Sequence, residues 1–421
     1  MRFSADWQDP GVSASAELKA TFCLLAIEIE GRRVSRFFDD RYGRAHDRIA
    51  MPAYPVAQGL ARAWWSLLAG RSGTIRLGRF RDGFAVPDIR LEPDGRYVDI
   101  TAEPFEYSNP PVTFTRRARE RLAVADLERD MAEFIESVVE KLGDYKIRNS
   151  WLQDRWSLIQ ASLEDDEERV FCEAAGALGR DPYLGDEAQA QAIEGAAEYF
   201  DDEALLEFLA SQRGHEPALA LKWLHAGEEQ LGDKAALPAI PDLAGVLSRP
   251  EPAMPSMSAV LPWQLGYRLA EDCRWALDLK PERVFGDVAD IAALFGGPGA
   301  NIARGRVPGL RAEANRSKGA PKVIVAELPV PHSRTFAMMR AVGDLLAFQQ
   351  EGRSPVTDTY SYRQAVGRAF AVEMLAPAGT ILQMERDGWA PDEIAIARNV
   401  SEEAITRHLQ NHREALELRA G

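Results

Sequence analysis

Five prolines (Pro238, Pro241, Pro250, Pro252 and Pro255) fall between Ala235 and Met257. Each removes a backbone donor and locks φ, so neither a helix nor a central strand persists through that stretch. The chain must therefore be built from bodies on either side, and we place a Pro-rich connection at 235–260. With 421 residues in all, both sides are long enough to bury a core.

Upstream, 1–145 mixes strands and helices. Ala20 to Glu30 is rich in β-branched and aromatic residues, and Glu30-Gly31-Arg32-Arg33 reads as a turn into a strand Val34 to Phe38. Thr74 to Phe80, Ile89 to Glu92 and Tyr97 to Ile100 are further strands, the last two joined by the turn signal Pro93-Asp94-Gly95. Tyr54 to Leu68 carries apolar residues at helical spacing, and a long amphipathic helix over Ala123 to Leu142 closes an α+β domain. From 146 to 234 every segment has a 3.6-residue rhythm, which predicts a helical domain. The run Glu164 to Glu168 reads as a solvated helix start, because acids suit the N-terminal dipole. Trp64, Trp65, Trp151 and Trp156 fall on helical faces as core anchors. The predicted class is thus α+β, predominantly helical.

Charge narrows the functions. Acids outnumber bases 65 to 50, a net −15, so a broad nucleic-acid face is disfavoured. Cys23, Cys172 and Cys273 are too few and too scattered for a disulfide framework, and they suit a reducing cytoplasmic compartment as buried small hydrophobes. Met1 to Pro10 is polar and acidic rather than leader-like, and no apolar run is long enough for a membrane span. Gly296-Gly297-Pro298-Gly299 lacks a following Gly-Lys-Ser/Thr, so a turn is expected there and not a phosphate cradle.

Downstream, 261–382 holds helices over Pro262 to Leu277 and Asp287 to Phe295, a Gly-rich basic stretch to Lys322, and a strand Val323 to Ala326. Two apolar helices follow. Phe336 to Phe348 carries Arg340 and Asp344 four residues apart, and Tyr360 to Leu375 carries Arg363, Gln364, Arg368 and Glu373. The tail, 383–421, reads as two short helices joined at Asn399-Val400-Ser401, with Ser401 as N-cap, similar to a helix-turn-helix.

Three stretches carry a resemblance: Arg334-Thr335-Phe336-Ala337 with Gly343-Asp344-Leu345-Leu346, then Gly367 to Pro377, including Phe370-Ala371-Val372-Glu373-Met374-Leu375-Ala376-Pro377, then Val400-Ser401 with His408-Leu409-Gln410-Asn411. Together they resemble the ImmA/IrrE family of zinc metallopeptidases over roughly 261–412. The resemblance implies a peptidase-like domain and a setting of bacterial stress, phage-defence or mobile-element control, in which members cleave regulators. It also implies a His-Glu-x-x-His on the first helix and an acidic third ligand on the second. Lined up on Gly343, those positions are Arg340, Ala341 and Asp344, with Gln364 and Val366 nearest the third. A guanidinium does not ligate zinc and a methyl takes no proton. We therefore expect a pseudoenzyme without cofactor that binds a protein partner as sensor, scaffold or regulator. An active zinc peptidase using His332, Asp344 and Asp358 is one alternative, and a DNA-binding transcriptional regulator acting through the tail and the basic loop is another.

If the vestigial site is enclosed, Arg340 and Asp344 are expected to pair along the helix with Gln364 as neighbour; in water the same pair contributes only a few tenths of a kcal/mol. Arg304, Arg306, Arg311, Arg316, Lys318 and Lys322 have a single acid, Glu313, among them. With Arg368, all but Lys322 are the binding candidates for an acidic partner or nucleic acid, against the commoner expectation of a merely solvated loop. In the tail, acids outnumber bases, so packing against the core is expected over DNA reading. His408 and His412 are spaced like two zinc ligands, yet Leu409 offers no base beside them, and we expect no metal there.

Overall fold

The structure is a computed structural model that describes residues 1–9, 15–71, 73–243, 245, 261–316, 319–349 and 351–420. The fold is α+β and predominantly helical. It divides into two compact units, Met1–Ala190 and Gln191–Gly421.

In the first unit the helix Tyr54–Leu68 lies at the centre of the core. Strands Arg2–Trp7, Phe22–Ile29 and Ile49–Pro52 pair antiparallel. A second sheet runs in the order Ala118–Ala123, Tyr97–Glu103, Asp88–Pro93, Ile75–Arg76. The Val34 to Phe38 strand is realised as Arg32–Arg33 and Phe37–Asp39 with Val34 buried between them, and Leu77–Phe80 is a 3-10 turn. Helices Trp151–Glu164 and Asp166–Leu178 pack on the central helix. Trp156 meets Trp64 edge-on at 5.1 Å, and Gly176 sits where a Cβ would strike the Trp65 carbonyl at 2.5 Å. The helical domain expected over 146–234 is thus shared between the units, because these two helices complete the first core. Asp165 caps its helix by accepting the Glu167 and Glu168 amides, as a solvated helix start requires.

The second unit is numbered here from its own start. Helices α1 (Asp202–Ser211) and α2 (Pro217–Leu231) come first, then α3 (Pro262–Ala276) and α4 (Val288–Leu294). The sheet contains β1 (Ile302–Ala303), β2 (Leu310–Arg316), β3 (Lys322–Ala326) and β4 (Gly352–Thr357) in the order β1-β3-β2-β4. β1 runs parallel to β3, and the other pairs are antiparallel. Between β3 and β4 runs α5 (Pro331–Phe348); after β4 come α6 (Tyr362–Leu375), α7 (Ala378–Arg386), α8 (Pro391–Arg398) and α9 (Glu402–Ala420). The Gly-rich basic stretch to Lys322, where no strand is expected before Val323, contains β2, whose Glu313 is only 1% exposed. Glu313 accepts from Tyr199 Oη at 3.2 Å and Arg353 Nη1 at 3.0 Å. Burial pushes its carboxyl up to about 7 despite Arg353.

Of the Pro-rich connection, 244 and 246–260 lie outside the described residues. Its start is tied to the second unit by the Leu237 amide donating to the Pro321 carbonyl at 2.7 Å. No single helix among the described residues is long and apolar enough to cross a membrane. The bent pair α6–α7 has the apolar composition of a broken span, but nearly all of α6 is buried within its unit.

Candidate functional site

The second unit centres on α6, which is crossed closely by α3 and α5. Gly266 on α3 meets the Val366 carbonyl, where a Cβ would stand 2.5 Å away, and Gly343 on α5 leaves room for the Phe370 ring. These close approaches bury the polar side chains between the helices and the end of β4.

Arg340 is 5% exposed. Its Nη2 donates to the Thr357 carbonyl at 2.5 Å and to Gln364 Oε1 at 2.7 Å, and its Nε has no partner. Gln364 is itself held, accepting the Thr357 amide at 3.0 Å and donating to the Pro355 carbonyl at 2.9 Å. Burial, reinforced by the nearby Arg368 guanidinium, holds the Arg340 pKa well below its ordinary value.

The expected Arg340–Asp344 pair does not form. Asp344 is taken from the neighbouring helix: Arg363 Nε reaches Oδ1 at 2.6 Å and Nη2 reaches Oδ2 at 2.8 Å. The Arg363 fork also bonds Ser354 Oγ and lies 4.5 Å over the Phe348 ring. A planar fork across two helices satisfies both carboxylate oxygens, whereas an Arg placed four residues before an acid is the weaker intrahelical order. The neighbour assigned to Gln364 is present, but as Arg340's acceptor.

These positions do not fit a divalent cation. Arg340 brings a cation, Ala341 is a buried methyl, Asp344 has both oxygens engaged, Gln364 is spent on backbone, and Val366 is apolar. The alternative set is not gathered as ligands: Asp358 is bound by Arg311 at 2.8 and 2.6 Å and lines a cleft with His332, Asp344 is enclosed with Arg363, and the three form no ligand cluster among the described residues.

That cleft, about 630 Å³, has Arg340 among its lining residues. Trp263, Leu328 and Phe336 give it apolar walls, and Arg311, Arg340, Arg368 and Arg407 line it. Arg311 is neutralised by Asp358, and Arg407 lies 3.8 Å from Glu403. Arg368 donates to the Thr359 carbonyl and stacks 4.9 Å over the exposed Tyr360 ring. Among the described residues, neither Arg340 nor Arg368 has a carboxylate partner.

A scan of protein-family models, curated proteins and solved structures finds no match to this chain.

The remaining sequence candidates disperse. Arg304 and Arg306 are exposed in the β1–β2 loop, Arg316 donates to the Leu345 carbonyl at 2.5 Å, and Lys318 lies outside the described residues. Among the described residues of that set, Arg311 and Arg368 line the cleft. The tail packs on its own unit: Ile394, Ile405 and Leu409 are buried, and Arg398 donates to the carbonyls of Leu375, Pro281 and Arg283. Sequence reasoning missed the roles of Arg363 and Glu373. Both sat in view on one apolar helix, and a charged residue there was the available signal for a buried partner. The three cysteines are buried, and burial raises Cys23 and Cys273 to about 12 and Cys172 to about 11, so none is a reactive thiolate.

Proposed function

We propose that this chain is a catalytically inactive, metallopeptidase-like protein that holds an acidic segment of a protein partner in the Arg340 cleft. In keeping with the resemblance of 261–412 to the ImmA/IrrE family, it acts as a sensor, scaffold or regulator in bacterial stress, phage-defence or mobile-element control, in the cytoplasm. One observation carries the binding reading. Two guanidiniums, Arg340 and Arg368, face an aromatic-walled cleft with only carbonyl and amide oxygens as acceptors. Buried cations without a counter-charge are costly, and a ligand carboxylate relieves that cost with charge-assisted bonds. Inactivity is supported by the same guanidinium standing where hydrolysis would need an imidazole. The engagement of Arg407 with Glu403 and the burial of the tail support a wall of the cleft over a DNA-reading helix.

Panning a random-sequence peptide library against the full-length chain tests this. Wild-type protein should enrich peptides with Asp or Glu beside apolar residues, recovered uncut. Arg368→Gln and Arg340→Met should abolish the enrichment. Enrichment without acidic bias, or an unchanged profile in both variants, refutes the reading.

A further inference from the structure

The end of α6 and the middle of α9 bring three ligand-type side chains to one point. Glu373 Oε2 lies 3.0 Å from His408 Nε2 and 3.9 Å from His412 Nε2, and one ligand atom from each residue falls within 4.8 Å of the others. Glu373 is 4% and His408 1% exposed. Both Nε2 atoms are buried and both face the same Glu373 carboxylate. Donors at roughly 2.0–2.2 Å around a tetrahedral ion stand about 3.4 Å from one another; the two Glu373–imidazole separations bracket that value, and all three donor pairs lie within 4.8 Å.

The surroundings hold the donors in place. Tyr267 Oη lies 2.9 Å from His408 Nδ1 and accepts from Asn411 Nδ2 at 3.0 Å. An Nδ1–H donated to that hydroxyl leaves the Nε2 lone pair directed at Glu373. The Tyr267 ring also stacks on His412, with centroids 5.0 Å apart and planes 11° apart, fixing the second imidazole. Both Glu373 oxygens lie 3.2 Å from the Ala378 amide, which orients the carboxylate. Two imidazoles and a carboxylate are a donor set for a borderline divalent ion of the zinc class.

We propose that Glu373, His408 and His412 form a zinc-class metal site that staples α9 to α6, with the fourth position taken by water. His408, Tyr267 and Asn411 also line the Arg340 cleft, but none of the three ligands is used in the acidic-segment reading, and the ligands are not the Arg340 and Asp344 positions that reject a cation. Its donors come from two helices, so the ion's effect would be added order in the tail.

The test uses the full-length chain stripped with a chelator and returned to chelator-free buffer. Calorimetric titration with zinc chloride should show one ion per chain at a micromolar Kd or tighter, and cobalt chloride should give the visible bands of a four-coordinate site. Removing an outer partner typically costs 10- to 100-fold in affinity, so Tyr267→Phe should fall in about that range and His412→Ala at or beyond it. The His412 side chain is 21% exposed, so His412→Ala is expected to fold, and circular dichroism checks this. Glu373→Gln should abolish the cobalt spectrum. Absence of saturable binding overturns the proposal. So does stoichiometric zinc binding of unchanged affinity in folded His412→Ala, which would put the ion elsewhere.

Discussion

Changing Asp344 to Asn removes one charge of a pair that is almost dry, with side chains 2% exposed for Arg363 and 6% for Asp344. Two charge-assisted hydrogen bonds at 2.6 and 2.8 Å join them. Each is worth about 1.5–3 kcal/mol, and leaving a buried charge without its partner costs about 3–5 kcal/mol. Asp344→Asn and Arg363→Met should each destabilise the second unit by about that amount. The double variant should lose clearly less than their sum, with a coupling of about 2–3 kcal/mol. The same cycle on Asp344 and Arg340 should give a coupling under about 0.5 kcal/mol, because Arg340 bonds Gln364 and Thr357 instead. Since the chain has two units, a single unfolding midpoint is a poor readout. Native-state hydrogen exchange read on peptides of α5 and α6 isolates the relevant opening energy. A larger coupling for Arg340–Asp344 than for Arg363–Asp344 would refute the assignment of partners.

Three further expectations follow from the second unit. Arg340→Met replaces a buried, uncompensated cation by an apolar side chain, so local stability should hold or rise by about 1–2 kcal/mol while acidic-peptide binding disappears; a loss above about 3 kcal/mol by hydrogen exchange contradicts this. Gly266→Ala puts a Cβ 2.5 Å from the Val366 carbonyl and should cost about 1–3 kcal/mol by forcing α3 from α6, and an unchanged melting profile would count against the close crossing. Glu313 binds its proton more tightly folded than unfolded, with its pKa raised from an ordinary 4.5 to about 7. Its contribution is therefore full below about pH 4.5 and is lost as pH rises to about 7, by up to about 3 kcal/mol. Glu313→Gln should flatten that slope in urea titrations across the window, and an unaltered slope shows that Glu313 does not titrate there.

Much of the element order is legible without tertiary information. The helix Tyr54–Leu68 and the start of α3 coincide with the segments read from sequence, because a 3.6-residue stripe or a Pro at the first turn is a local signal. Ser401 caps α9 by accepting the Ala404 amide at 3.2 Å, as its position predicts. β2 and β4 were not legible. β2 reads Leu-Arg-Ala-Glu-Ala-Asn-Arg with hardly any exposed face, so the alternation that marks a half-buried strand is missing. α7 follows Pro377 directly, where a proline suggested only an ending.

The sequence alone determines most of the helices, the predominance of α over β, the interruption near 235–260 and the absence of imidazole and carboxylate at positions 340 and 341, since each depends on side-chain type and short-range spacing. Tertiary structure decides who partners whom. Arg340 and Asp344 share a helix face, yet a guanidinium nineteen residues further along the chain offers Asp344 two parallel bonds and wins it. Glu373 stands thirty-five residues before His408, and only the folding of α9 back onto α6 brings their ligand atoms to 3.0 Å. In a low-dielectric interior every charge must find the best counterpart in three dimensions, and distance along the chain carries no information about which one that is.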